Sequence, residues 1–395
     1  MNTINRRNFL KMSAVAGVGA TFLPTGLSAE SLKVTDSKEE NEIPVRTLGR
    51  TGIQLPILSM GVMRADNPAV LRAAYNSGIK FFDTAHGYQE GRNEEMVGNY
   101  LADKPRDSFI VSTKIHFDYP LQDNFEQTMD DTLALSLKRL KMDYVDIFYL
   151  HGVKDPEALQ EKRIMDWLEK IKKEGKTNFV GLSTHAGKPE VLLSAIEAGI
   201  YDVVLMSYNF KMERLDEWNA AMEKAAEAGI GLVGMKSMAG GAEDADGKKK
   251  VNGQACLRWV WNNKNLTTAI PGFTSLDLLD DCLTAAKAPE LTETDNTYLA
   301  SLKDAEMLYC QQCNQCEGQC PEHLPIPDLM RAYMYAYGYN YAQLSKETLN
   351  GLHLSKDICM SCAGECQVHC VSGFNVGQKI AAVKPVMDVP AVFLS

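Results

Sequence analysis

Asp83, Tyr88, Lys114 and His151 are residues whose types and places in the chain suit the movement of a proton. Three apolar runs deliver them. Phe81-Phe82 ends on Asp83 with Tyr88 five residues on, Phe109-Ile110-Val111-Ser112-Thr113 ends on Lys114, and Tyr144-Val145-Asp146-Ile147-Phe148-Tyr149-Leu150 ends on His151. A tyrosine, with an ordinary pKa of about 10, is a poor acid at neutral pH. A nearby ammonium favours the phenolate, lowers that pKa and eases proton donation. Lys114 is expected to supply the charge, Asp83 to hold Lys114, and a neutral His151 to hydrogen-bond the oxygen that receives the proton. Such a set protonates an alkoxide as hydride arrives, or works in reverse. Singly, each has a plainer role as a loop cap, a solvated lysine or a core histidine; four at matching run ends favour a site. His116, Tyr119 and His185 also lie near run ends, where solvated loop positions are the simpler reading.

A second chemistry lies in the cysteines. Eight of the ten fall between Cys310 and Cys370, in the runs Cys310-x2-Cys313-x2-Cys316-x3-Cys320-Pro321 and Cys359-x2-Cys362-x3-Cys366-x3-Cys370. Clustering of this kind predicts a metal-binding module. The first run matches the bacterial ferredoxin pattern, in which three close thiolates bind one 4Fe–4S cluster and the fourth binds another. That pattern assigns Cys310, Cys313, Cys316 and Cys370 to one cluster, and Cys359, Cys362, Cys366 and Cys320 to the other. Zinc prefers paired CxxC units, and disulfides become possible on export, but three cysteines in a row favour iron–sulfur. Cys256 reads as a buried thiol in a helix.

Both sets need elements to position them. Strand-like runs end near Met60, Asp83, Lys114, His151, Ser183, Ser207, Lys236 and Pro271, and helical stretches alternate with them. Eight βα units predict an α/β fold, a (β/α)8 TIM barrel. A doubly wound sheet is the runner-up, but no GxGxxG turn follows the first strand. Ahead of the barrel, residues 45–49 and 53–56 flank Arg50-Thr51-Gly52 as a short hairpin. Between Lys114 and His151, Asn124 and Gln127 suggest a capping box, with Phe125, Met129, Leu133, Leu137 and Leu140 on one helix face. Gly78, Gly175, Gly199 and Gly229 each follow a helical stretch, as C-terminal caps do. Active sites in this fold sit at the C-terminal ends of the strands, so the four residues, from strands two, three and four, converge on one side of the mouth.

The formal net charge is −10, more negative still without the three basic residues of the first 29. That argues against nucleic acid, which needs a basic face. Residues 1–29 have a basic part with Arg6-Arg7, an apolar run from Met12 to Leu23, and small residues at Ser28-Ala29. This predicts a twin-arginine (Tat) signal peptide. Its apolar run falls short of the roughly 20 residues a bilayer span needs. Residues 30–44 read as a flexible tether, 45–290 as the barrel, 291–309 as a connecting helix and 310–395 as the dicluster module. Helix-like stretches Asp328–Ala336 and Tyr341–Leu349 lie between the cysteine runs.

Arg46-Thr47-Leu48-Gly49…Thr51-Gly52, Phe82-Asp83-Thr84-Ala85…Tyr88…Asn93-Glu94-Glu95…Gly98, Ser112-Thr113-Lys114 and Leu150-His151 together resemble the aldo-keto reductases, over about residues 45–290. The resemblance implies a barrel that binds NAD(P)H in an extended pose, with Tyr88 as general acid–base in the tetrad. It also implies that Ser183 and Thr184 hold the nicotinamide amide, with Tyr208 following strand six. Lys236 to Gly241, with Gly272 and Thr274, would cradle the pyrophosphate and adenosine ends, and backbone donors near glycine suit phosphate. Leu205, Met235, Leu278 and Cys282 stand where members often carry a glutamine, an aromatic, a basic residue and an asparagine. The tail is similar to the small, mainly helical, ferredoxin-like iron–sulfur domain appended to some members. These features predict an oxidoreductase passing hydride between NAD(P) and a small carbonyl or alcohol, with two 4Fe–4S clusters for electron transfer or structure. Export by the Tat machinery to the periplasm, a redox partner protein and no stable membrane span are expected. The alternative is an electron-carrier or binding protein on a reductase scaffold with a degenerate nicotinamide site.

Overall fold

The computed structural model describes residues 42–185, 188–239, 252–302, 310, 312–352, 354, 359, 366–371 and 373–394. The signal peptide, most of the tether, Gly240, Gly241, the end of the connecting helix and Cys362 lie outside the described residues. All described residues belong to one compact unit, 41–395.

An antiparallel hairpin, β1 (Val45–Thr47) and β2 (Gln54–Pro56), comes first. Eight parallel strands follow: β3 (Met60–Gly61), β4 (Phe81–Asp83), β5 (Ile110–Ile115), β6 (Val145–Leu150), β7 (Thr177–Thr184), β8 (Val203–Ser207), β9 (Gly231–Met235) and β10 (Thr268–Ala269). They pair in sequence order. Parallel bridges Leu58–Ala269 and Gly61–Gly272 close the circle into a barrel. Each strand ends within about two residues of its sequence expectation. The physical basis is burial on both faces: β4, β6 and β8 are buried at every position, as a sheet inside a helical ring requires.

Helices α1 (Pro68–Asn76), α2 (Arg92–Leu101), α3 (Phe125–Leu140), α4 (Lys162–Lys173), α5 (Glu190–Ala198), α6 (Leu215–Glu227), α7 (Gly253–Asn262) and α8 (Leu276–Lys287) form that ring. The predicted face of α3 is buried along its length. Its capping box does not form. Asn124 is the N-cap, but its φ of −93° and ψ of 18° are not the extended geometry that aims the side chain at the first turn, and it makes no cap bond. Gln127 instead donates down the helix to Asp131 at 2.9 Å.

The hairpin plugs the N-terminal end of the barrel. Leu48 and Leu55 join Phe81, Ile147, Val203 and Leu205 in the interior core. Arg50 donates to Asp202 at 3.1 Å, and its backbone N–H donates to the Gly229 carbonyl at 2.6 Å. Gly49 makes the close approach possible: its φ is +49°, and a Cβ there would lie 2.3 Å from the Gly231 nitrogen.

Beyond the barrel lie α9 (Glu293–Ser301), α10 (Ile326–Tyr333), α11 (Ala342–Gly351) and α12 (Val376–Val383), with a π turn at Met334–Gly338 extending α10. Ile326, Leu329, Met330, Leu349, Phe374 and Ile380 build the core of the last three, with Cys316 and Cys320 inside it, while Leu299 of α9 packs with Ala255 and Cys256 of α7. This segment roofs the barrel mouth. Loops after five strands reach it: Arg64 sits 4.8 Å over the Tyr339 ring, Lys154 meets Asp328 at 3.0 Å, Lys188 meets Glu317 at 3.7 Å, Lys211 donates to the Leu302 carbonyl at 2.9 Å, and Lys236 donates to Gln312 at 3.1 Å. Among the described residues no helix is long and apolar enough to cross a membrane.

Candidate active site

Asp83 ends β4 in register with Ser112 of β5, while Lys114 pairs in register with Tyr149 of β6. Alternation along β5 sends Ser112 and Lys114 to the barrel interior and Thr113 to the helix side. Lys114 Nζ accordingly donates to Asp83 Oδ2 at 2.7 Å and to the Thr84 carbonyl at 2.5 Å, and Ser112 Oγ donates to Asp83 Oδ1 at 2.7 Å. Thr113 Oγ1 donates to buried Glu94 at 2.6 Å, and Arg139 holds the other Glu94 oxygen at 3.3 Å. Asn93 accepts from Thr84 at 2.6 Å and donates to the Val62 carbonyl at 2.7 Å. These bonds lock α2 to the ends of the strands that carry the charged pair.

Lys114 Nζ reaches Tyr88 Oη at 3.4 Å and stands 4.8 Å from its ring centre. The Tyr88 and His151 rings meet edge-on with centroids 5.8 Å apart, and His116 stacks on His151 at 3.8 Å. The structure thus brings Asp83, Tyr88, Lys114 and His151 to one place. Asp83 and Lys114 are buried, while Tyr88 and His151 keep accessible surface.

Electrostatics differ from the sequence expectation at Tyr88. Burial, then Asp83, Tyr335 and Tyr339, push its pKa well above the ordinary value, so the ammonium at 3.4 Å does not lower it. Asp83 is raised and Lys114 lowered, each by burial first, with their mutual attraction opposing; the bonding pattern remains that of an ion pair. His151 is held well below its ordinary value by burial and by the neighbouring His116, Lys114, His185 and Arg331, which leaves it neutral. Its Nδ1 is buried and lacks a hydrogen-bond partner among the described residues. A neutral ring beside a protonated phenol suits a carbonyl oxygen.

The residues that the resemblance links to a cofactor are placed less uniformly. Ser183 Oγ accepts from the Gly152 N–H at 3.0 Å, and Thr184 Oγ1 donates to the Val153 carbonyl at 2.8 Å. Tyr208 turns into the helix layer, donating to Asn219 at 2.8 Å and accepting from Asn263 at 2.9 Å. Lys236 follows β9 at the mouth, its amine on Gln312 and its pKa brought down to about 7 by burial and Arg331. Next to it, Ser237 Oγ is buried and without a partner among the described residues, so this part of the expected cradle has an open hydroxyl. Gly272 lies at the bridge to Gly61, and Thr274 is exposed one residue ahead of the Ser275 cap of α8, where free backbone N–H groups face out. Leu205 is fully buried in the interior core, so it takes no part at the mouth.

Among the described residues no three His, Cys, Asp or Glu side chains stand close enough together to hold a single metal ion. Cys310, Cys313, Cys316 and Cys370 nonetheless line one pocket with Pro327, Met330 and Phe374. Burial and the neighbouring thiols push Cys316 up to about 12. Cys320 lies in the core, Cys359 packs against that core, and the Cys366 Cβ lies against Gly377 at the start of α12. Cys256, Cys282, Cys310, Cys313, Cys316, Cys320, Cys366 and Cys370 are free thiols. Ser112, Arg331, Tyr335 and Gln312 were not singled out from sequence. Alternation along β5 carried the signal for Ser112; the others are brought to the mouth only by the packing of the tail.

Compared with known proteins, the chain matches the family model "Aldo/keto reductase family" over residues 54–253, and a twin-arginine translocation signal model over residues 3–22. It is 32% identical over 186 residues to L-galactose dehydrogenase of Arabidopsis thaliana, covering 42% of this chain and 56% of that one. It is 27% identical over 220 residues to D-threo-aldose 1-dehydrogenase of a Pseudomonas species, covering 46% and 65%. The chain therefore spans little more than half to two thirds of these relatives' lengths. A solved aldo-keto reductase from Bacillus halodurans, in its holo form, superposes with a TM-score of 0.56 at 20% identity, covering 69% of this chain and all of that one, a likeness of fold.

Proposed function

The chain belongs to the aldo/keto reductase family, and from that premise we propose that it is an exported oxidoreductase interconverting a small carbonyl compound and its alcohol. The observation that carries this reading is the buried Lys114–Asp83 pair at 2.7 Å, with Tyr88 Oη 3.4 Å from the same ammonium and His151 against the Tyr88 ring. A bound nicotinamide cofactor would supply or accept the hydride. Tyr88, kept protonated by its surroundings, gives its proton to the nascent alkoxide, and Lys114 stabilises the phenolate left behind. Neutral His151, set against the Tyr88 ring, orients the carbonyl oxygen. Asp83, itself fixed by Ser112, and the Thr84 carbonyl hold Lys114 in place and restrict its rotamers.

Ser237 and Lys236, with backbone donors from Gly272 and Thr274 to the start of α8, are the residues offered to the cofactor's phosphates. Ser183, Thr184 and Tyr208 remain in this proposal through backbone and ring, since their hydroxyls are engaged elsewhere. The cysteine runs are proposed to hold two 4Fe–4S clusters, Cys310, Cys313, Cys316 and Cys370 on one and Cys320, Cys359, Cys362 and Cys366 on the other. Support for the first comes from the common pocket of its four cysteines. A cluster is several ångströms across, so its sulfurs stand further apart than the ligands of one ion. The Tat signal directs export of a folded, loaded chain, with the periplasm as its place of work.

The test is turnover by anaerobically purified mature protein. With NADH or NADPH and a panel of small aldehydes, the parent is expected to turn over and Tyr88→Phe to lose activity. Equal rates for parent and Tyr88→Phe would refute the mechanism. A second reading, an electron carrier or binding protein on this scaffold, is favoured by the bond from Lys236 to Gln312, which occupies part of the expected cofactor cradle. Titration of the mature protein with both nicotinamides separates the two readings, since the carrier binds neither.

A further inference from the structure

Helix α10 belongs to the cysteine-rich segment, yet one of its faces looks into the barrel. Leu329, Met330 and Ala332 are buried in the segment's own core. Asp328, Arg331 and Tyr335 are spaced three and four residues apart and so share a different face of α10 and its π extension. Asp328 accepts both 3.0 Å bonds from Lys154, in the loop after β6, which anchors that face to the barrel mouth. Tyr335 lies close enough to Tyr88 to act on its charge. Arg331 acts likewise on His116, His151, His185 and Lys236, all of which surround the proposed reaction centre.

Charge is unbalanced on this face. Lys114 is matched by Asp83. One carboxylate, Asp328, is shared by two cations, Lys154 and Arg331. Arg331 spends only Nη2 on Asp328 and has no other hydrogen bond among the described residues. Its Nε and Nη1, part of the fork that pairs with carboxylates, remain available. Its side chain is 20% exposed, and Tyr88 and His151 also keep accessible surface.

We infer that Arg331, carried by the cysteine-rich segment, is a specificity residue that selects carbonyl substrates bearing a carboxylate. The tail then completes the substrate site as well as carrying cysteines. This rests on the hydride-transfer reading of the same site.

The test uses the full mature chain and two matched aldehydes, 4-carboxybenzaldehyde and 4-carbamoylbenzaldehyde, together with calorimetric binding of benzoate and benzamide. The parent is expected to prefer the carboxylate at least tenfold in kcat/KM and to bind benzoate at least tenfold more tightly than benzamide. Arg331→Gln should bring both ratios close to one, and Arg331→Lys, which keeps the charge and guards against misfolding of the first variant, should restore part of each. A parent that does not discriminate, or ratios that Arg331→Gln leaves unmoved, overturn the inference while hydride transfer stands. Benzoate binding that depends on Arg331, in a protein that reduces neither aldehyde, would support the anion site and refute the hydride reading.

Discussion

Lys114 and Asp83 show how strongly one buried pair constrains this protein. Each is almost fully buried, and each satisfies the other at 2.7 Å. Lys114→Met strands the carboxylate in a dry site, and removal of one partner from such a pair costs about 3–5 kcal/mol. The urea midpoint should fall accordingly, and adding Asp83→Leu should recover part of the loss. Tyr88→Phe has no such cost, yet should lower kcat roughly a hundred- to ten-thousandfold, the range for a general acid. Because the surroundings raise the Tyr88 pKa and keep His151 neutral, the rate of carbonyl reduction with cofactor saturating, where titration of Lys236 does not limit binding, should stay flat from about pH 6 to 9. Stability behaves otherwise. His151 and His185 resist protonation in the folded chain, both chiefly through burial. Below about pH 6.5 the unfolded chain binds protons the folded one refuses, so stability falls as pH falls. Thermal midpoints at pH 7.5 and 5 test this, and His185→Gln should flatten the slope.

At the level of elements, the hairpin and the α2–α3 contact hold the barrel to its shape. Leu48 is fully buried in the interior core. Leu48→Ala should cost about 2–5 kcal/mol, as large-to-small core changes do. Gly98 lets α2 close on α3: a Cβ there would lie 2.5 Å from the Arg139 carbonyl oxygen. Gly98→Ala should therefore destabilise by about 1–3 kcal/mol. It should also weaken catalysis, because Arg139 holds Glu94, Glu94 holds Thr113, and Thr113 precedes Lys114. Chemical denaturation and steady-state kinetics on one preparation give both readouts.

On the scale of the whole molecule, the cysteine-rich segment and the barrel share the mouth. If the two proposed clusters are present, anaerobic protein should carry about eight iron and eight sulfide per chain. Cys310→Ser should lose about half and should disturb the Lys236–Gln312 contact beside it. Iron and sulfide analysis with EPR decides this, and a colourless parent would end the cluster proposal. Replacing both Arg6 and Arg7 with Lys should leave the protein in the cytoplasm by cell fractionation, because the Tat signal matched at residues 3–22 depends on that pair.

Strand ends were legible in the sequence because burial on both faces forces continuous apolar runs, and the barrel places the ends of those runs on one rim. Asp83, Lys114 and His151 could therefore be located from their positions alone, and Tyr88 from its distance to Asp83. Only the tertiary structure decided the direction of the Tyr88 pKa, since desolvation depends on everything packed around the phenol, including Tyr335 and Tyr339 from a segment some 250 residues away. The idle capping box at Asn124 has a similar origin: composition permits the bonds, but the backbone angles set by the preceding loop forbid them. The seating of Arg331 and Gln312 over the mouth is of the same kind. No local period encodes a contact between a tail and a rim, which arises only when two separately built cores are brought face to face.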